Sequence, residues 1–183
     1  MRAVITPPVE EAISLERAKR HLLIDDEADE DIDQDIRDGI VAAREDLEGR
    51  LRRPLLPQVC EVRAIALERR LRLWNDVIEV MSIMYADADG NDQVLPIEQC
   101  RLELGVWLRL AGDLPRDATS VRVRFRCGAF AQPADVPRSL VQWMLLHLGT
   151  GDRIRQLVTR TETFDVPTSY TDRLIHRYEA AEI

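Results

Sequence analysis

Three histidines, three cysteines and two groups of aspartates are the residues of this 183-residue sequence with the chemistry to ligate a metal or move a proton. His21, His147 and His176 stand alone, with no HExxH or comparable spacing, so each reads as a packing or surface histidine. Cys60, Cys100 and Cys127 are odd in number and far apart, which makes neither a disulfide framework nor a zinc site. Reduced, partly buried thiols, as in a cytosolic protein, are the simplest account. Asp31, Asp33 and Asp35 have the alternate spacing that opens a calcium loop. Ile36 then stands where that loop needs glycine, and Ala42 where it needs glutamate, so a solvated helix start is the better reading. Asp87, Asp89 and Asp92 fail in the same way and fit a hairpin turn. No GxGxxG, P-loop or GxSxG occurs. The sequence therefore offers no catalytic, cofactor-binding or metal residues, and points to a non-enzymatic protein without cofactors that works through its surfaces.

Those surfaces are charged, and arginine supplies nearly all the positive charge, Lys19 being the one lysine. Arginine favours rigid, bidentate contacts, although a GC-rich genome gives the same bias. Arg122, Arg124 and Arg126 form a ladder on one face of an alternating strand. The ladder reads either as the solvent face of an edge strand, where charge blocks unwanted pairing, or as a contact for a carboxylate-rich partner. A second pattern lies along one helix, with Asp31, Asp35 and Asp38 toward its start and Arg50, Arg52 and Arg53 at its end. That arrangement matches the macrodipole and sets unlike charge toward the two ends of one helix. These nine residues are the candidate interface. The net charge of −8 argues against wholesale coating of nucleic acid, although it leaves room for a local basic patch.

The elements that would position these residues follow from periodicity. Residues 1–13 read as an extended arm, because Thr6-Pro7-Pro8 suits neither a helix interior nor a central strand. Ser14 is an N-cap for a short helix from Leu15 to about Leu22. A longer helix follows the acidic stretch 25–31, with Ile32, Ile36, Ile40, Ala43, Leu47 and Leu51 as its apolar stripe. Its opposite face carries Asp35, Arg37, Asp38, Arg44, Glu45 and Glu48, and Pro54 stops it. From 58 to 127 the period changes to two. Strands are expected at Val59–Leu67, Leu71–Trp74, Val77–Ala86, Gln93–Leu95, Cys100–Leu104, Val106–Leu110 and Val121–Cys127, with turn residues at 87–91. Helical period returns from Pro137 through Leu148. Gly149-Thr150-Gly151 breaks it, Arg153–Leu157 resumes for a turn or two, Thr159–Pro167 is a loop, and a last helix starts near Thr168. The expected fold is α+β in one domain. It is a mainly helical bundle of N-terminal (14–53) and C-terminal (137–180) helices with an inserted antiparallel β sub-domain. Residues 1–9 lack the apolar stretch of a signal peptide, and no apolar run is long enough to cross a bilayer.

The order of these features resembles the head–tail connector (adaptor) proteins of long-tailed bacteriophages. Ile13-Ser14-Leu15-Glu16-Arg17-Ala18-Lys19-Arg20-His21-Leu22, then Ile24-Asp25-Asp26, looks like that family's opening helix, turn and acidic linker. Glu48-Gly49-Arg50-Leu51 is similar to the phrase that closes its second helix. Val77, Val80, Ile83 and Tyr85, with Asp87-Ala88-Asp89-Gly90, resemble its strand and turn. Arg124-Phe125-Arg126-Cys127-Gly128 with Val136-Pro137 resembles its closing strand and the start of its next helix. Leu174-Ile175-His176-Arg177-Tyr178 is similar to its looser last helix. Cys127 departs from the family's usual small residue, and Gly149-Thr150-Gly151 interrupts a helix the family more often continues. The resemblance implies a virion component at the head–tail junction, assembled in the host bacterial cytoplasm. Copies would form a dodecamer-like homo-oligomeric ring on the portal protein, meet a head-completion (stopper) or tail protein, and continue the DNA channel. DNA would pass through without specific binding, and no membrane is involved. A DNA-packaging accessory protein or another tail-completion protein is the alternative.

Overall fold

A computed structural model of the chain describes residues 2–24, 30–66, 68–111, 118–148 and 168–180. Two compact units emerge. One comprises Met1–Val9 and Leu56–Ala131, the other Glu10–Leu55 and Gln132–Ile183.

The first unit is built of strands β1 (Arg2–Thr6), β2 (Gln58–Ala66), β3 (Arg70–Arg72), β4 (Val77–Ala86), β5 (Asp92–Leu95), β6 (Cys100–Glu103), β7 (Trp107–Leu110) and β8 (Thr119–Cys127). They form two antiparallel sheets, one ordered β1-β2-β8-β4-β5 and the other β3-β7-β6. Strict alternation in β8 sends Val121, Val123, Phe125 and Cys127 inward, all fully buried. Cys60 and Val62 of β2, Ile83 of β4 and Leu108 and Leu110 of β7 complete a core to which both sheets contribute. Irregular pairing with β8 at three points along β4 breaks that strand's alternation, and leaves Ile78 and Met81 exposed. Asp87 organises the β4–β5 turn by accepting from the backbone N–H groups of Asp89 and Asn91 and from Gln93 Nε2. These bonds hold the Asp87 carboxyl below its usual range, the backbone bond from Asn91 contributing most. Gly128 ends β8 where a Cβ would lie 2.7 Å from the backbone nitrogen of Pro57, so only glycine fits without displacement.

The second unit contains helices α1 (Leu15–Leu22), α2 (Glu30–Leu51), α3 (Arg138–Leu148) and α4 (Thr168–Ile175), with a 3₁₀ turn at His176–Tyr178. Ser14 caps α1, its Oγ accepting from the Arg17 N–H at 3.3 Å. Ile36, Ile40, Ala43, Leu47 and Leu51 of α2 are buried, as are Leu140, Val141, Trp143, Met144 and Leu148 of α3. The end of α2 is closed by the Arg53 N–H reaching back to the Glu48 carbonyl, with Arg52 in the left-handed region at φ 56°. The break expected at Gly149–Gly151, the turns at Arg153–Leu157 and the loop at Thr159–Pro167 lie outside the described residues.

This architecture corrects the expectation of a mainly helical bundle, because the fold is a mixed α+β one with eight strands among its described elements. The physical reason is that the β region covers its own core. The three-stranded sheet supplies apolar side chains that close over the five-stranded one, and residues 2–6 join as a strand instead of remaining unpaired. Arg2 helps to hold that strand, its guanidinium lying 3.7 Å from the centroid of the Trp74 ring.

Candidate interaction surfaces

The chain's charge is divided unevenly. Acidic and basic residues balance within the β unit, so the whole of the −8 falls on the helical unit. The sequence-predicted surface residues are distributed over both.

On the β unit, the arginine ladder lies on β8, which is a central strand, so the edge-strand reading of it does not hold. Its three charges are met across the sheet. Arg124 Nε contacts Glu61 of β2 at 2.8 Å, Arg126 Nε contacts Glu79 of β4 at 2.9 Å, and Arg122 pairs with Asp92 of β5. Glu61 is also held by Arg63 at 2.8 Å, and its side chain is only 2% exposed although both arginines reach solvent. The bond from Arg124, then that from Arg63, pulls the Glu61 carboxyl below the usual carboxylate range against the opposing effect of burial. This face is thus a lattice of ion pairs, most of them between strands, in which four arginines meet three carboxylates.

On the helical unit, Asp31, Asp35 and Asp38 lie in the first half of α2 and Arg50, Arg52 and Arg53 at or just past its end, so that Asp31 and Arg50 are about 28 Å apart and Asp38 and Arg50 about 18 Å at 1.5 Å per residue. Asp31 is exposed, and Asp38 accepts from Gln34 Nε2 at 2.8 Å. Inside a helix, Asp31 and Asp35 share one face while Asp33 points to the other side, which is incompatible with one calcium loop. Asp33 instead meets Lys19 of α1, the single lysine, in a nearly buried ion pair. The basic end serves the chain's own C-terminal segment. Arg53 Nη1 donates to the Tyr178 carbonyl at 3.3 Å, and the Ala180 N–H donates to the Leu51 carbonyl at 3.0 Å. Arg50 pairs with Asp46 at 3.4 Å and lies over Trp143, while Arg52 lines a small cleft with Asp172 and Glu179.

Periodicity misplaced the most deeply buried ionic group described in this unit. Arg44 and Glu48, expected on the solvent face of α2, are 2% and 3% exposed. Arg44 Nε donates to both carboxylate oxygens of Glu11 at 3.0 and 3.1 Å, and its Nη1 donates to Glu48 at 3.1 Å. The other oxygen of Glu48 accepts from the Leu55 N–H at 2.8 Å. This hub ties α2 to the residues where the chain enters the unit, near Glu11, and leaves it, at Leu55. An i,i+4 arginine and glutamate read as a routine surface pair, and no local signal marks them as buried.

The remaining chemistry-bearing residues do not converge. His147 stacks on Trp143, with ring centroids 3.5 Å apart and its Nδ1 3.1 Å from that residue's carbonyl, whereas His21 and His176 are exposed. Cys60 and Cys127 are buried side by side with 3.7 Å between sulfurs, and Cys100 is half-buried. Among the described residues there is no group of three histidine, cysteine or acidic side chains placed to hold a metal, and no helix long and apolar enough to cross a membrane.

Solved structures share this fold along the whole chain. A chain of the virion of the native gene transfer agent (GTA) particle aligns with a TM-score of 0.72 and 18% identity, covering 100% of this chain and 97% of that one. A chain of the neck of the empty GTA particle, computed with C6 symmetry, gives 0.72 and 17% over the same shares. One from the neck of the native particle, computed with C12 symmetry, gives 0.68 and 18%, again over 100% and 97%. Neither a family model nor a curated protein matches the sequence.

Proposed function

We propose that this chain is a structural, non-catalytic head–tail connector (adaptor) of a phage-like particle. Its copies form a ring beneath the portal, join head to tail and continue the DNA channel. The observation that carries this reading is the full-length fold likeness to chains from a GTA virion and its neck, on both sides of the alignment. The ordered sequence resemblance to phage connectors points the same way from independent features. Cyclic symmetry of the kind used for those necks arises from heterologous contacts that close by rotation, and such contacts need two different side surfaces on each subunit. A chain whose acidity is concentrated in one unit while the other is balanced supplies two unlike surfaces. Ladder arginines that are already paired, together with a net charge of −8, suit passage of DNA without adhesion. The partners in this reading are the portal, a head-completion (stopper) or tail protein, and further copies of the chain, at the head–tail junction of the virion.

Electron microscopy of the purified protein, alone and with its portal, tests the proposal. A cyclic ring stacked on the portal is expected. A chain that remains monomeric in the presence of portal overturns it. Tight, salt-sensitive retention of DNA by the isolated protein in a filter-binding experiment would favour the packaging-accessory role instead.

A further inference from the structure

A groove of about 720 Å³ opens on the helical unit between the segment leading into α1 and the middle of α2. Ile13, Ile40, Val41 and Pro133 contribute to an apolar floor, while Arg17 and Arg37 stand on its rim. Both arginines are exposed, and neither has an ion-pair partner among the described residues. The rim also carries Glu10 and Glu11, of which Glu11 is already held by Arg44. Two arginines against one uncommitted carboxylate make the rim cationic, on the very unit that carries all the chain's net negative charge. The occupant should therefore be acidic, compact and presented by something other than another helical unit, since two such units repel.

The β unit presents such a feature at the β4–β5 turn. Residues 88–92 are all exposed, and Asp87 accepts three hydrogen bonds that fix the turn in advance. Little ordering entropy is then lost on docking. Asp92 is committed to Arg122 and Asp87 to the turn itself, which leaves Asp89 as the uncommitted charge at a tip whose other residues, Ala88, Gly90 and Asn91, are small. We infer that the acidic β4–β5 tip of one copy seats in the Arg17–Arg37 groove of the next. This inference rests on the ring reading above. It supplies the heterologous contact a ring requires, because tip and groove are different surfaces on different units.

Charge reversal and its repair test the pairing. The full-length chain carrying Arg17→Glu and Arg37→Glu should self-associate at least about tenfold more weakly than the native chain at moderate salt, read by mass photometry and negative-stain images. Asp89→Lys alone should do likewise, and the triple variant should recover most of the loss. All three positions are exposed, and circular dichroism establishes that each variant remains folded. Native association in the two groove substitutions overturns the inference while leaving the ring reading intact, as does weakening that the triple variant fails to repair. Rings that assemble normally but no longer bind portal would make the portal the occupant and also overturn it. A native chain that never forms rings, alone or with portal, sinks the ring reading itself and this contact with it.

Discussion

Replacing Glu48 by alanine probes the least exposed ionic group of the helical unit. Its carboxylate accepts from Arg44 and from the Leu55 N–H, so truncation leaves two buried donors short of a partner. An orphaned backbone N–H costs about 1–3 kcal/mol. Breaking a buried ion pair by removing one side costs about 3–5 kcal/mol. Here the lower end applies, because Arg44 keeps both oxygens of Glu11. The two losses share one site and do not simply add, so E48A should destabilise the chain by about 4 kcal/mol, a large share of the about 5–15 kcal/mol typical of a whole domain. E48Q keeps an oxygen for Leu55 and should fall between E48A and the native chain. Asp46→Ala serves as the control. It breaks the Arg50–Asp46 pair, in which both side chains are about half exposed, and should change stability by less than about 1 kcal/mol. Urea unfolding followed by circular dichroism gives the comparison. If E48A and D46A proved equally mild, the hub would contribute nothing beyond a surface pair and the assignment of α2's buried face would be wrong.

Other outcomes follow from the β unit. Glu61 has its pKa lowered by Arg124 and Arg63, so the stability it contributes is fully present above its unfolded value of about 4.3 and is lost as pH falls through the lower folded value. Glu61→Gln should therefore flatten the acid limb of a stability-versus-pH curve, and an unchanged limb contradicts the pairing. Gly128→Ala forces a methyl against the backbone of Leu56 and Pro57 and should cost about 1–3 kcal/mol or more, measurable as a lowered Tm; a variant as stable as the native chain would refute that approach. Burial, and secondarily Glu98, pushes the Cys100 thiol up, while Cys60 and Cys127 are enclosed. Alkylation near pH 8 should be slow at Cys100 and should reach the other two only on unfolding.

Where an element's pattern is set by its own neighbours in sequence, the sequence was legible. Ser14 and the spacing of Ile36, Ile40, Leu47 and Leu51 gave α1 and α2, and the alternation of Val121 through Cys127 gave β8 with its inner and outer faces. Long-range pairing was not legible. Residues 2–6 pair with β2, more than fifty residues later, and although Val4, Ile5 and Thr6 are β-branched, nothing within Arg2–Thr6 names that partner. The status of β8 as a central strand depends on β2 and β4 flanking it, so its arginines looked like the protection of an open edge.

The same distinction governs the candidate surfaces, and it explains why charge was the hardest signal to read. A charged side chain on a helix or sheet face has three destinations: solvent, an internal partner, or another molecule. Local pattern does not separate them, because all three look alike in sequence. Arg44 and Glu48 went to an internal partner, as did Arg124 and Arg126, which meet Glu61 and Glu79 across the sheet. Arg53 went to the chain's own C-terminal segment. Arg17 and Arg37 stand out only after these pairings are known, because they remain unmatched among the described residues, on the rim of an apolar groove, against the sign of the unit that carries them. Cationic side chains held in such a place give up only hydration and rotamer freedom on meeting an acidic visitor and gain a partner, whereas ladder arginines would also have to give up theirs. A search for contacts between copies in the proposed ring should therefore begin at Arg17 and Arg37, and only then turn to the arginines most conspicuous in the sequence.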